Sequence, residues 1–516
     1  MKRVIDELKE KVGVIDIGSN TIRLVIYEYS FTGRQLKEVE NFKVSARLRT
    51  FLDEHHALNE KGISLLLDTL QNFRIMIQQY NVTDVFCVAT ATVRQASNQE
   101  DIIQIIKEKT GFTTTLLSEY EESYYGFLAI IHSMDIQEGI TIDMGGASTE
   151  ITYFRNRELI HYYSLPFGSL SLKLQFVKGD IPTHYESLEI GQYIRSQLEN
   201  LPWLVNKQVP IIAIGGSARN VVEIHQSSTN YPIVGVHQYE MEISDLHEVT
   251  NKLTLLSFDQ LQKVEGLSKE RADTILPALE AFQVISDLSK ATQFVLSRKG
   301  LREGLLYEKK NLDKGQFLLL KDSIQELIQG FHIDSENAQQ VNKIATMFYE
   351  GMKNIEGICP DFTEDDLIFL KYGAPLFHLG QNVHEESISL QTFHLLANQT
   401  ILGLSHKDRV KLALIASYKG KGTLRKYIEP FKNWYTKDEQ KKIALLGTLL
   451  KVSQSLNTTK RNIVNSIKIT AHDTNWVVAI QCQGNYKPEQ FQMEKQKKHL
   501  EKLLKVTITF NFIESY

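Results

Sequence analysis

The 516-residue chain nowhere contains the roughly eighteen consecutive apolar residues that a bilayer-crossing helix needs. Its start, Met1-Lys2-Arg3-Val4-Ile5-Asp6-Glu7-Leu8-Lys9-Glu10, is charged where a secretory leader would be apolar. Neither membrane insertion nor export is expected. Cysteine is scarce: Cys87, Cys359 and Cys482 stand far apart without CxxC spacing, which speaks against a disulfide framework or a zinc knuckle and for a reducing, cytoplasmic setting. Charge of one sign is missing too. With 58 Lys and Arg against 62 Asp and Glu, the formal net charge is −4, so nothing attracts a polyanion globally and no nucleic-acid partner is expected. An anionic ligand would have to be held locally. The stretches Lys419-Gly420-Lys421-Gly422-Thr423-Leu424-Arg425-Lys426 and Lys437 to Lys442 are candidates, and a solvated surface explains them equally well. What remains, 42% hydrophobic and 23% charged residues, is the composition of a globular protein, and the length suggests about three or four domains.

One short motif occurs twice. Val12-Gly13-Val14-Ile15-Asp16-Ile17-Gly18-Ser19-Asn20-Thr21 runs into Ile22 to Tyr27, and Gly139-Ile140-Thr141-Ile142-Asp143-Met144-Gly145-Gly146-Ala147-Ser148-Thr149-Glu150 runs into Ile151 to Phe154. Each copy reads as an apolar strand ending in Asp, a Gly/Ser/Thr turn and a second strand, a hairpin whose tip exposes N–H groups and hydroxyls beside a carboxylate. Glycine lets the backbone approach a ligand, and successive N–H groups form an anion-binding concavity. The Asp would repel a bare phosphate, so the pattern predicts a divalent cation between them. A single copy would be an ordinary hairpin; the repeat implies duplicated domains.

Around these hairpins strand and helix patterns alternate: a helix over Ile63 to Tyr80, a buried strand Asp84 to Thr90, a helix Glu100 to Thr110, a strand Thr113 to Leu117 and a helix Glu119 to Met134. Val209 to Asn220 reads as a strand entering the glycine turn Gly215-Gly216-Ser217 and then a helix, a place that favours phosphate. From Asp313 the pattern turns helical, with amphipathic segments Gln316 to Gln329, Ser335 to Lys353, Thr363 to Leu379, Lys407 to Tyr418 and Thr436 to Ser455. The tail reads as strands Ser466 to Ala471 and Trp476 to Gln481, a lysine-rich helix Gln490 to Leu504 and a strand Val506 to Phe512.

In order along the chain, Asp16-x-Gly18-Ser19-Asn20, Ala91-Thr92-x-Arg94-Gln95-Ala96-x-Asn98, Ser118-x-x-Glu121-Glu122, Asp143-x-Gly145-Gly146-x-Ser148-Thr149-Glu150, Gly215-Gly216-Ser217 and Gly300-Leu301-Arg302-Glu303-Gly304-Leu305-Leu306 form a set. It resembles the exopolyphosphatase and guanosine pentaphosphate phosphohydrolase (Ppx/GppA) family of the actin, sugar kinase and Hsp70 superfamily, over residues 11–308 and more weakly beyond. The resemblance implies an α/β protein with two duplicated RNase H-like (actin-like ATPase) domains, 1–133 and 134–309, closing over a phosphate site. A mostly helical HD-like domain, 310–460, and a small α+β C-terminal domain, 461–516, would follow. Two departures stand out. Ala147 replaces a third glycine, and Leu376-Phe377-His378-Leu379-Gly380 and Ser417-Tyr418-Lys419-Gly420 lack the His-Asp pair and the further histidine of a working HD site. The helical domain is thus expected to hold a substrate chain or make subunit contacts, and His378, His384 and His394 to be structural or surface residues.

Hydrolysing a phosphoanhydride needs neutralised phosphoryl oxygens, an in-line water and a carboxylate to orient or deprotonate that water. Gly18, Ser19, Asn20 and Thr21, Gly145, Gly146, Ala147, Ser148 and Thr149, and Gly215, Gly216 and Ser217 are the phosphate-binding candidates, with Thr92 and Arg94 beside them. Asp16, Asp143 and Glu150 are placed to hold Mg²⁺ or another divalent cation. Glu121 and Glu122 open a helix at the domain junction, where adjacent like charges suit a base. The resemblance favours Glu122, four residues after Ser118; Glu119 and Glu121 also suit a helix N-terminus. Arg302 and Glu303 read as structural, pairing at a hinge. Removal of terminal orthophosphate from inorganic polyphosphate is the leading expectation, with a homodimer as the assembly. Guanosine pentaphosphate (pppGpp) 5′-phosphohydrolysis shares every catalytic group, a kinase of the superfamily would need an acceptor pocket, and an alarmone sensor without turnover is a further alternative.

Overall fold

A computed structural model describes residues 10–29, 36–312, 319–353, 355 and 362–515; Cys359 lies outside them. The chain divides into two compact units, residues 1–231 with 236–319, and residues 232–235 with 320–516. None of the described helices is long and apolar enough to cross a membrane.

The first unit contains two sheets. In one, β1 (Glu10–Ile17), β2 (Ile22–Tyr29), β3 (Lys37–Val44), β4 (Asp84–Ala89) and β5 (Thr114–Leu116) lie in the order β3-β2-β1-β4-β5. In the other, β6 (Glu138–Met144), β7 (Thr149–Arg155), β8 (Glu158–Leu165), β9 (Ile211–Ile214), β10 (Tyr239–Glu242) and β11 (Gln293–Ser297) lie in the order β10-β11-β9-β6-β7-β8. One topology is used twice: a hairpin, β1-β2 or β6-β7, pairs antiparallel, its outer edge takes a third strand, and its first strand pairs in parallel with the next α/β strand. Strands β1 and β6 are apolar nearly throughout because they are central and covered on both faces. β8 is mostly exposed, and β3 alternates between exposed and half-buried, as a strand at a sheet edge does. Such patterns carry little apolar signal, and neither strand is among those expected from sequence.

Helices Glu60–Gln79 and Gln99–Thr110 cover one face of the first sheet through Leu66, Leu70, Phe73, Ile102 and Ile106. Helices Glu119–Ile131 and Leu301–Lys309 lie between the sheets, where Tyr125, Leu128, Leu305 and Leu306 join Val12 and Val14 of one to Ile212 and Val295 of the other. The two helices meet so closely that a side chain at Gly304 would overlap the Tyr125 backbone. Helices His184–Leu198, Gly216–Ser228, Ile243–Thr254 and Ile275–Ser289 cover the far face. The parallel strands β1, β4, β6 and β9 end where their connecting loops gather, the position that open α/β sheets use for ligands.

The second unit holds helices Leu319–Gly330, Ser335–Lys353, Glu364–Leu376, Ile388–Asn398, His406–Ala416 and Lys437–Ser455, then β12 (Val464–His472), β13 (Asn475–Gln483), helix Lys487–Leu504 and β14 (Thr507–Ser515). Its sheet, ordered β12-β13-β14, packs on helix Ser335–Lys353, where Gln340 donates to the Val464 carbonyl at 2.7 Å. The lysine run 437–442 is partly spent within the fold: Lys442 pairs with buried Asp366 at 3.0 Å and Lys441 with Asp438 at 2.7 Å. His378 is largely buried; that burial, then Lys451, pushes its imidazole down to about 4.

Candidate active site

Both hairpin tips close with the same bond: the Gly18 N–H donates to the Thr21 carbonyl at 3.0 Å, and the Gly145 N–H to the Ser148 carbonyl at 3.0 Å. The tips face each other, since a Cβ built on Gly146 would lie 3.2 Å from the Ser19 and Asn20 Cβ atoms. Gly215 adopts φ +102°, and a Cβ there would stand 3.0 Å from the Met144 carbonyl oxygen and 3.4 Å from Asp143 Oδ1, so this turn needs glycine.

Between the tips lies a cavity of about 180 Å³. Of the residues expected from sequence, Asp16, Gly18, Ser19, Asn20, Thr21, Glu122, Asp143, Gly145, Gly146, Ser148, Glu150, Gly215 and Gly216 line it. Others lie behind the wall. Ala147 is buried, Thr149 is buried with its hydroxyl on the Phe167 carbonyl at 2.7 Å, and Ser217 is buried and accepts from Arg271 at 3.3 Å. Thr92 is buried with no partner for its hydroxyl. Arg94 donates to the Leu117 carbonyl at 2.7 Å and forms an ion pair with Glu122. Glu121 is outside the cavity: its carboxylate accepts from the Ser118 N–H at 2.8 Å while its own N–H donates to the Ser118 hydroxyl, a capping box that starts helix Glu119–Ile131. Sequence reasoning attributed the special state of Glu122 to Glu121 beside it. Burial is the larger cause, followed by the Glu150 charge; together they hold Glu122 well above the usual carboxylate range, while Arg94 opposes them.

Asp143 is half-buried in the cavity wall and takes neither hydrogen bond nor ion pair from the described residues. Burial, then the charges of Glu150 and Asp16, push it up to about 7, while Arg302 opposes the rise. Glu150, opposite Asp143 in the β6-β7 register, is raised by burial, partly offset by hydroxyls including Ser164, which donates at 3.0 Å. Among the described residues no three His, Cys, Asp or Glu side chains stand at metal-binding distance, and Asp16 is engaged by Arg302 at 2.9 Å. The set nonetheless suits a hard cation that takes one or two carboxylates and completes its shell with water and substrate oxygens.

The arginines were largely missed. Arg23, Arg219, Arg271, Arg298 and Arg302 all line the cavity. Burial, then Arg302, pushes Arg23 down to about 10; burial, then Arg298, lowers Arg219, and burial, then Arg219, lowers Arg271. Buried Nε atoms of Arg219 and Arg302 have no hydrogen-bond partner among the described residues. A signal for Arg23 existed in the repeat: it faces Asp16 across β1-β2 as Glu150 faces Asp143 across β6-β7. The duplicated hairpins therefore carry opposite charges at equivalent positions. Arg302 and Glu303, expected to pair at a hinge, do not pair: Arg302 reaches Asp16, while Glu303 accepts from the Gly300 N–H at 3.0 Å and the Tyr27 hydroxyl at 2.9 Å. Flanking Arg271, Glu270 and Asp273 tie the second sheet's half to the first through Lys43 at 2.5 Å and Arg47 at 2.8 Å.

An anion-accepting arginine wing, a carboxylate wing and two glycine tips on one repeated α/β topology define a protein that handles phosphoryl groups. The family model described as Ppx/GppA phosphatase matches residues 26–312, and that of Ppx/GppA phosphatase domain III matches residues 320–501. The chain belongs to the Ppx/GppA phosphatase family and is an enzyme of the phosphatase type. It is similar to exopolyphosphatase 1 of Mycobacterium leprae, 23% identical over 336 residues, 64% of this chain and 98% of that one. It is also similar to the guanosine-5′-triphosphate,3′-diphosphate pyrophosphatase of Pseudoalteromonas atlantica, 21% identical over 411 residues, 78% of each chain. A crystal structure of an exopolyphosphatase from Cytophaga hutchinsonii matches with a TM-score of 0.55 at 21% identity, covering 60% of this chain and 99% of that one, which supports the fold.

Proposed function

We infer that the chain hydrolyses the terminal phosphoanhydride of inorganic polyphosphate, releasing orthophosphate and a chain one unit shorter. The observation that carries this reading is the division of one cavity into Arg23, Arg219, Arg271 and Arg298, which have no ion-pair partner among the described residues, and the acids Glu122, Asp143 and Glu150. The arginines and the tip N–H groups neutralise phosphoryl oxygens. Water attacks the terminal phosphorus, its proton passes to Glu122, and the bridging P–O bond breaks with its electron pair left on the shortened chain. Arg94 holds the Glu122 carboxylate in orientation. Mg²⁺, held by Asp143 and Glu150 with Asp16 within reach, would supply further neutralisation of the phosphoryl oxygens.

The repeated strand order and tips support reading the first unit as two actin-like domains. The buried His378 without an adjacent acid supports a degenerate HD-like fold in the second. Buried, unpaired Cys87 and Cys482 suit a reducing cytoplasm. A homodimer belongs to the same proposal, tested by its mass in light scattering. One observation favours pppGpp as the substrate instead: the relative named for the guanosine compound aligns over 78% of the chain, more than the exopolyphosphatase does. Orthophosphate release with Mg²⁺, measured on long polyphosphate and on pppGpp, decides between them. On the better substrate Glu122→Gln should lower turnover by roughly a hundredfold or more while binding persists; undiminished turnover would remove Glu122 from the reaction.

A further inference from the structure

Asp16 ends β1 on the first sheet's side of the cavity, yet its carboxylate is already engaged from the opposite side. Arg302 Nη1 donates to Asp16 Oδ2 at 2.9 Å, and both side chains are about four-fifths buried, at 20% and 19% exposure. Arg302 is aimed there by its neighbours. It stands in the first turn of helix Leu301–Lys309, which Glu303 caps and fixes to Tyr27, and which Gly304 seats against Tyr125. The pair is nonetheless incomplete. The guanidinium has five donors in a fork that fits a carboxylate or a phosphate through two parallel bonds; here one bond reaches Asp16, Tyr27 and Glu303 stand near enough to act on its charge, and the buried Nε has no partner among the described residues. Asp143, close enough to feel the charges of both Asp16 and Arg302, has no hydrogen-bond or ion-pair partner among the described residues. A fork that is half used, beside an acid that is unused, is an arrangement ready to be exchanged.

We propose that Arg302 is a resident counter-ion: with no phosphoryl group bound it keeps Asp16 from a divalent cation, and it releases Asp16 when a phosphoryl group draws its fork away, so that anion and cation strengthen each other's binding. The proposal rests on the cation in the function inferred above and adds the coupling. Linkage makes the effect reciprocal: whatever factor the anion gives the cation, the cation gives the anion. A permanent strut between the halves of the unit would give no such coupling.

The test is Mn²⁺ binding to the full chain by titration calorimetry, with and without sulfate, a tetrahedral dianion that binds Mn²⁺ weakly in water. In the wild type sulfate should tighten Mn²⁺ about tenfold, within the usual span of allosteric coupling. Arg302→Gln should bind Mn²⁺ about tenfold tighter without sulfate and gain nothing from it, and Arg302→Lys, which keeps the charge without the fork, should bind Mn²⁺ as weakly as the wild type without sulfate and gain less from it. Arg302→Gln should bring no tightening in an Asp16→Asn background. Equal tightening in Arg23→Gln, or in the Asp16→Asn background, would mean a general field effect and overturn the exchange. So would a wild type whose Mn²⁺ affinity ignores sulfate, a result that stands even if Arg302→Gln fails to fold. If no form binds Mn²⁺ under either condition, the cation itself falls and the exchange with it; a wild type that binds Mn²⁺ beside an unresponsive Arg302→Gln overturns the exchange alone.

Discussion

Replacing Asp143 by Asn should stabilise the ligand-free protein. Burial raises this carboxyl from 3.8 to about 7, with Glu150 and Asp16 adding to the rise. The folded form therefore holds a proton that the unfolded form has released between those two values, and stability falls as pH rises through that window. At 1.36 kcal/mol for each pH unit, the ionised Asp143 costs about 4 kcal/mol above pH 7. Asn has nearly the same shape and never ionises, so at pH 8 the variant should be more stable than the wild type by up to about 4 kcal/mol, and at pH 5 by less than about 2. Calorimetric unfolding in chelator-treated, phosphate-free buffer at both pH values measures this. Added Mg²⁺ should then stabilise the wild type in proportion to its binding and leave Asp143→Asn unmoved. A variant no more stable than the wild type at pH 8, or an advantage that does not shrink at pH 5, would refute the claim that this acid is held ionised against its surroundings.

The raised Glu122 fixes the sign of the acid limb. Only its ionised form accepts a proton, so activity is lost as pH falls through a value displaced upward from 4.5 by burial and by Glu150. Because Arg94 opposes that displacement, Arg94→Leu should carry the limb to higher pH; an unmoved limb in the pH–rate profile would separate the two residues. Gly146→Val should wedge the hairpin tips apart at Ser19 and Asn20, and kcat/KM should drop by roughly tenfold or more, the scale of small misplacements of catalytic groups; wild-type kinetics would mean that tip spacing is unimportant. Gly215→Ala forces a side chain into φ +102°, at about 1–3 kcal/mol for such a strained backbone, which calorimetry reads directly.

Much of the fold could be read in advance because its central strands are buried on both faces. Continuous runs such as Val12 to Ile17 and Ile140 to Met144 announce themselves, and helices 60–79 and 99–110 begin within three residues of expectation. Edge strands β3 and β8 escaped because exposed strands carry no continuous apolar run. Asp16, Asp143 and Glu150 were legible because each sits at a fixed offset from a tip glycine, and Glu122 because it stands four residues after Ser118. Arg219, Arg271 and Arg298 were not, since they come from a helix, a short turn and a loop that only the folded chain brings together.

What the sequence alone determined is the chemistry carried by local pattern: two hairpin tips, each with an acid, glycines and hydroxyls, whose geometry depends on bonds spanning three residues. What only the tertiary structure decided is charge. Asp16 is neutralised by Arg302 from 286 positions away, Glu122 is held by Arg94 and raised by burial and then by Glu150, and half-buried Asp143 has no ion-pair partner among the described residues. The state of an ionisable group depends on burial and on neighbours a few ångströms off, and neither is ordered along the chain.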